Sequence, residues 1–272
     1  APSVWAWRSG RAKKMASYID HVLALLPFEP RFMKEAKMSC EFVGHPVVEQ
    51  PLASSEDGRL FRVEYNIGDD PLLVCLPGSR VSEIRRLTPI FGETIKKLKK
   101  SFPNFRVVVP AAKTVGNEVR EEINNWHEEP IFLDPGNNVQ SDFSKQKLTA
   151  FRAADLALAA SGTVSLELAA NLTPMVMAYD MGWLSRQIIK RMVKIDTFTL
   201  VNIISETKKI PEFFGPNCNS NNLVNALTRV LKAPEEQRLV MKKTIKLLGL
   251  NGIPPGQRAA QSVIDFLENH KR

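Results

Sequence analysis

Two short runs in this chain carry residue types that handle anions. The first is Pro-Gly-Ser-Arg at 77–80, set between an apolar run and a long helical pattern. Gly78 lets the backbone turn sharply and come close to a ligand. Ser79 can cap a helix or bond an oxygen. Arg80 adds a planar fork of donors that grips phosphate with two bonds. The first N–H groups of the next helix lack internal partners and favour negative charge. The second run is Ser161-Gly162-Thr163, small enough for a ligand to lie against the backbone. Thr163 stands where a helix N-cap belongs. Glu167, one turn on, could accept two hydrogen bonds from a ribose diol. Each feature also has a plain structural reading that the residues leave open: Arg80 paired with Glu83, and Glu167 merely complementing the helix dipole. Neither run has the G-x-x-x-x-G-K-[ST] or G-x-G-x-x-G spacing. Two anion-ready turns on one sheet converge on one crevice, which points to a diphosphate-linked nucleotide.

The elements that must position these turns alternate regularly. Apolar runs at 72–76, 105–111, 130–134, 156–160 and 174–179 read as strands. Helix-period segments at 81–100, 116–126, 142–153 and 164–172 lie between them. Continuous apolar strands separated by helices predict a parallel sheet covered on both faces, an α/β doubly wound, Rossmann-like architecture. Beyond Tyr179 the pattern is mainly helical. Before the first strand of this sheet, 21–29 and 40–45 read as strands and 29–38 as a short helix. The stretch 46–58 collects Pro, Ser, Asp and Gly and reads as a linker. Two units follow: residues 1–50 and residues 51–272.

Bulk properties narrow the partners. The chain has 272 residues, 44% of them hydrophobic, enough for a sizeable core. Lys and Arg number 37 against 29 Asp and Glu, so the net charge of +8 suits an anionic partner. No basic run is interleaved with aromatics, which argues against nucleic acid. Cys40, Cys75 and Cys218 show neither zinc spacing nor a disulfide framework, as expected of a reducing, cytoplasmic setting. Cys75 reads as a packed strand residue. His21, His45, His127 and His270 show no ligand spacing with one another, which gives no sign of a metal or cofactor site. His45 is read as structural, with catalysis as the alternative. No apolar run reaches the length of a membrane span, and no signal peptide is apparent. The opening "APSVWAW" reads as the middle of a structured segment, so an N-terminal portion is expected to precede it.

One segment fits a lipid surface. In 181–196, Leu184, Ile188 and Met192 recur at i+4, while Arg186, Lys190 and Lys194 form a cationic row with Trp183 at one end. This is a basic amphipathic helix suited to an anionic membrane. The alternative is a helix that packs its apolar side on the sheet and turns its charges to water.

The motifs "SVWAWR", "LALLPFEPRF", "FVGHP", "LPGSRVSEI" and "ASGTVSLELA" occur here in this order. In them the chain resembles the lipid-A-disaccharide synthases over nearly its whole length. The resemblance implies a GT-B glycosyltransferase with two Rossmann-like domains facing a cleft. It implies that 51–272 is the UDP-sugar-binding domain and 1–50 the tail of the acceptor-side domain. The implied reaction joins UDP-2,3-diacylglucosamine to 2,3-diacylglucosamine 1-phosphate, releases UDP and inverts the anomeric centre. Carried over by motif, Gly78, Ser79 and Arg80 would lie against the diphosphate, with Arg80 and helix dipoles stabilising the leaving UDP without metal. Ser161, Gly162, Thr163 and Glu167 would flank phosphate and ribose. Asn202 in "TLVNIIS" matches a donor-site asparagine, although Val201 replaces the usual Pro; a buried amide bonding nearby backbone is the other reading. The general base is expected in the part preceding this chain. The implied setting is peripheral, at the inner face of the inner membrane, with exchange of C-terminal segments in a homodimer as one arrangement. Two rivals remain on sequence: a UDP-N-acetylglucosamine 2-epimerase-like isomerase, and a UDP-binding module without turnover.

Overall fold

The computed structural model describes residues 1–2, 4, 10–136, 140–160, 162–182 and 196–269. Its centre is a parallel six-stranded sheet: β3 (Leu72–Leu76), β4 (Arg106–Pro110), β5 (Ile131–Leu133), β6 (Leu156–Ala160), β7 (Met175–Tyr179) and β8 (Glu212–Phe214). The spatial order is β5-β4-β3-β6-β7-β8. The chain therefore builds outward from β3 through β4 and β5. It then crosses back to lay β6 on the other side of β3 and continues outward again. This reversal between β3 and β6 is the switch point of a doubly wound sheet, where a crevice opens beyond the carboxyl ends of the strands.

Every residue of β3 and of β6 is buried, because both faces are covered. Alternate residues serve opposite cores. Leu72, Val74, Ala157, Ala159, Met175 and Met177 face one cluster, shared with α6 (Gln140–Ala153) and α7 (Val164–Ala170). Leu73, Cys75, Leu156, Leu158, Val176 and Ala178 face the other. That second cluster is closed by α4 (Val81–Ser101) and by the helix Ser220–Lys232. In α4, Ile84, Leu87, Phe91, Ile95 and Leu98 recur at helical spacing and are all buried. Cys75 packs as a small apolar group, and burial pushes its thiol pKa up.

A smaller parallel pair, β1 (His21–Ala24) with β2 (Ser39–Phe42), stands apart from the main sheet and has its own core of Val4, Ala12, Val22, Ala24, Met33, Met38 and Cys40. The expected strand over 21–29 ends early. The Glu29 carboxylate accepts the N–H groups of Leu25 (3.1 Å) and Leu26 (3.0 Å), which turns the chain into the helix Glu29–Glu35. The C-terminal helix Pro255–Asn269 returns to this pair. There His21 joins Ser39 through Nδ1 (2.9 Å) and Ser262 through Nε2 (2.8 Å), and stacks on Phe266.

Two sequence expectations change. The stretch 46–58 is not an open linker: Pro46–Val48 forms a 3-10 turn, and α3 (Ser55–Glu64) begins inside it. Ser54 and Asp57 close a reciprocal capping box at that start, with Asp57 N–H donating to Ser54 Oγ at 3.0 Å and Ser54 N–H to Asp57 Oδ2 at 2.8 Å. The chain after Tyr179 also supplies one more strand, β8, which extends the sheet past β7. Among the described residues no helix is long and apolar enough to cross a membrane.

Candidate functional site

The turn after β3 and the turn after β6 open into one hollow of about 330 Å³ at the switch point. Gly78 and Ser79 form one wall with Glu83; Gly162, Thr163 and Glu167 form another. The tip of β4 adds Pro110, Ala111, Ala112 and Lys113, and α6 adds Phe143 and Lys147. Two small-residue turns and two lysines thus line a space with apolar sides. This suits a ligand with an anionic end and a flat apolar end.

Gly78 is there for a steric reason. Its φ is +131°, and an added Cβ would lie 2.7 Å from both Cβ and Oε2 of Glu83. Glu83 is buried and lies at the third position of α4, which is capped by Arg80. Its carboxylate accepts the Ser79 N–H at 3.0 Å and an Arg80 Nη1 donor at 2.6 Å. The Arg80–Glu83 pairing that the sequence left open is therefore present. Arg80 itself is not among the residues that line the hollow; it follows Ser79 directly, and its side chain is 72% exposed. Tyr179, at the end of β7, shares this neighbourhood. Burial first, and then Glu83, push its hydroxyl pKa up, while Arg80 pulls it down.

Across the hollow, Thr163 sits at the N-cap of α7 but makes no side-chain capping bond. Ser165 donates its hydroxyl back to Gly162 O at 2.9 Å, a bond to a carbonyl that caps no helix N–H. A Cβ added at Gly162 would meet nothing within 4 Å, so its face is open. Glu167 does more than complement a dipole: Lys147 Nζ donates to its Oε2 at 2.6 Å, with the lysine ammonium also over the Phe151 ring. The pair is about three-quarters buried on both sides, which holds the carboxylate at the wall of the hollow.

Asn202 does not line the hollow. It is 1% exposed, and its amide is spent elsewhere: Nδ2 donates to Ile210 O (2.9 Å) and Glu212 Oε1 (3.2 Å), and Oδ1 accepts Ile210 N–H (3.0 Å). The direct donor contact expected of it is corrected to the buried structural amide that the sequence held as the other reading. His45 caps the turn Pro46–Val48, its Nδ1 accepting the Val47 N–H at 3.1 Å. Ser161, His270 and the lipid-surface candidates Trp183, Arg186, Lys190 and Lys194 lie outside the described residues.

Sequence reasoning missed Lys113, Lys147 and the second role of Glu83. Lys113 could have been found, since it follows β4 at the same carboxyl edge as the two turns. Lys147 gives no such signal, because its partner Glu167 lies on a different helix.

A larger hollow, about 620 Å³, opens by Arg59, Arg62, Arg152 and Arg238. It sits at the amino ends of β3 and β6, where Asp155 accepts the Leu72 N–H. Its arginines already have partners: Glu56, Asp155, Ser55 and Glu235. The smaller hollow at the switch point is the better candidate for a ligand.

Comparison with known proteins follows the same direction. The chain is similar to the lipid-A-disaccharide synthase of Ruegeria pomeroyi, 51% identical over 267 residues, covering 98% of this chain and 67% of that protein. It is 40% identical over 271 residues to the synthase of Rhodospirillum centenum, covering 98% and 65%. The chain thus spans about two thirds of the length of these relatives. Among solved structures it resembles ADP-heptose LPS heptosyltransferase II of E. coli (TM-score 0.52, 12% identity, 78% of this chain and 63% of that one). It also resembles Anabaena HepE in complex with UDP-glucose (0.53, 10%, 96% and 68%) and the UDP-GlcNAc 2-epimerase of Neisseria meningitidis bound to UDP-GlcNAc (0.53, 14%, 90% and 61%). At these identities the structures speak for the fold alone, a Rossmann-like domain of GT-B type. The family model described as lipid-A-disaccharide synthetase matches residues 1–259, and this chain belongs to that family.

Proposed function

We propose that residues 51–272 form the donor-binding part of a metal-independent inverting glycosyltransferase that makes lipid A disaccharide. The donor is UDP-2,3-diacylglucosamine and the acceptor 2,3-diacylglucosamine 1-phosphate; UDP leaves. The observation that carries this is the single hollow into which both glycine-bearing turns open at the β3–β6 switch point. In it the pyrophosphate lies against Gly78, Ser79, Gly162 and Thr163, and Ser161 belongs to the same turn by sequence. Arg80, next after Ser79 in the chain, reaches to the leaving phosphate and offsets the charge that develops as the glycosidic bond breaks. Glu167, fixed by Lys147, receives the ribose hydroxyls. Lys113 adds positive charge to a site that must hold a dianion, while the charge of Lys147 is met by Glu167.

Residues 1–50 are the tail of the acceptor-side domain, and neither the general base nor the acceptor pocket is assigned to residues of this chain. The acyl chains of both substrates place the protein at an anionic membrane surface, on the cytoplasmic side of the inner membrane, with the 181–196 segment as the contact. Family membership favours transfer over epimerisation, since a sugar-nucleotide hollow serves either reaction.

Titration calorimetry with UDP tests the donor site. Arg80→Ala is expected to weaken binding by about 1.5–3 kcal/mol, the range of a hydrogen bond to a charged group. Unchanged affinity would remove Arg80 from the site.

A further inference from the structure

We propose that Glu83 is a positioning residue for the donor diphosphate, acting through Arg80 and the Gly78–Ser79 peptide. This deepens the donor-site reading and rests on it. Three independent features meet at this carboxylate. It is 7% exposed on its side chain and lies in the wall of the hollow. Its two oxygens are divided: Oε2 takes the Ser79 N–H at 3.0 Å, and Oε1 takes the Arg80 guanidinium at 2.6 Å. The backbone opposite is cut back to make room, because any Cβ on Gly78 would sit 2.7 Å from Oε2.

In a capping box a glutamate at this position accepts the N–H of the N-cap residue, here Arg80, whereas Glu83 accepts the N–H of Ser79, one residue earlier. The second bond has no capping use, since Arg80 is exposed and gains nothing from burial. It ties a long, flexible cation to the wall residue Glu83, one position after Ser79 in the turn that lines the hollow. An arginine held by a carboxylate keeps its planar fork oriented and loses less freedom when phosphate arrives. The carboxylate also repels the incoming phosphates. On this proposal the ordering effect exceeds that repulsion, so removing the charge at Glu83 weakens binding rather than strengthening it.

The test is a double-mutant cycle on UDP affinity, read by calorimetry on the 272-residue chain. Wild type, Glu83→Gln, Arg80→Ala and the double variant are compared, with uridine as a phosphate-free control. Glu83→Gln is expected to weaken UDP about tenfold and uridine less than about threefold. In the Arg80→Ala background the further loss is expected to stay under about twofold, because residues acting as one unit are not additive. Glu83→Asp keeps the charge one methylene short of both partners. It should give the same pattern and guards against a glutamine variant that does not fold. Equal or tighter UDP binding in the Glu83 variants, fully additive losses, or equal losses for UDP and uridine would each overturn the proposal. If wild type binds UDP and the cycle shows no coupling, only the role of Glu83 falls. If wild type does not bind UDP at all, the donor site itself falls and Glu83 with it.

Discussion

At Gly78 one hydrogen atom in place of a methyl decides whether the first turn can exist. The φ of +131° is open to glycine, and the space beyond it is filled by Glu83. Gly78→Ala therefore meets both backbone strain and a carboxylate that cannot retreat without breaking its bonds to Ser79 and Arg80. The expected cost is about 1–3 kcal/mol of stability, read from urea unfolding; a variant as stable as wild type would show that the turn relaxes freely. Gly78, Ser79 and Arg80 are legible from the sequence because strand, glycine and helix follow one another without a gap. Lys147 is not, since its bond to Glu167 spans 20 residues and two helices. Asn202 shows the opposite error. A motif names a residue but not the direction of its side chain, and this amide is consumed by Ile210 and Glu212.

At the scale of elements, long apolar runs are readable nearly to the residue. Strands β3 and β6 coincide with the expected 72–76 and 156–160 because both of their faces are buried. Short elements escape such a reading. Strand β8 has three residues, all half-buried, and offers no apolar run to see. Helix α3 is hidden by turn-forming residues, although Ser54 and Asp57 carry the spacing of a capping box. The turn Pro46–Val48 makes a prediction of its own. His45 Nδ1 accepts the Val47 N–H, so that nitrogen must stay unprotonated, and burial lowers the His45 pKa. In the unfolded chain the ring takes its proton near pH 6.5; in the fold it resists down to a lower pH. Protons thus bind the unfolded state preferentially, and stability falls as the pH drops below about 6.5. His45→Asn keeps an acceptor at the cap and should flatten that part of the urea-midpoint profile between about pH 7.5 and 5.5. An identical slope in both proteins would dismiss His45 as its source.

Across the whole molecule, three cores are joined into one body. The β1–β2 pair is tied to the C-terminal helix by His21 with Ser262 and by Arg258 with the Phe42 carbonyl. The switch-point hollow lies on the main sheet, at the edge from which the 181–196 segment departs after β7. Under the proposed function, which gives the donor acyl chains, the surface near that edge is expected to meet lipid. Reversing the charges at Arg186, Lys190 and Lys194 is expected to weaken binding to phosphatidylserine-containing vesicles by about 1 kcal/mol per residue. Unchanged co-sedimentation would leave this segment as scaffold. The α/β class and the two converging turns are readable before any coordinates because strand tips and glycines mark the edge of a parallel sheet. How Arg80, Glu83, Lys147 and Glu167 share that edge requires three dimensions.

The most direct measurement of the central claim is a UDP titration followed by amide chemical shifts. The account predicts that the signals of Gly78, Ser79, Gly162 and Thr163 move together with one affinity. Shifts confined to one of the two turns, or centred on the arginine-lined hollow at the opposite end of the sheet, would contradict it.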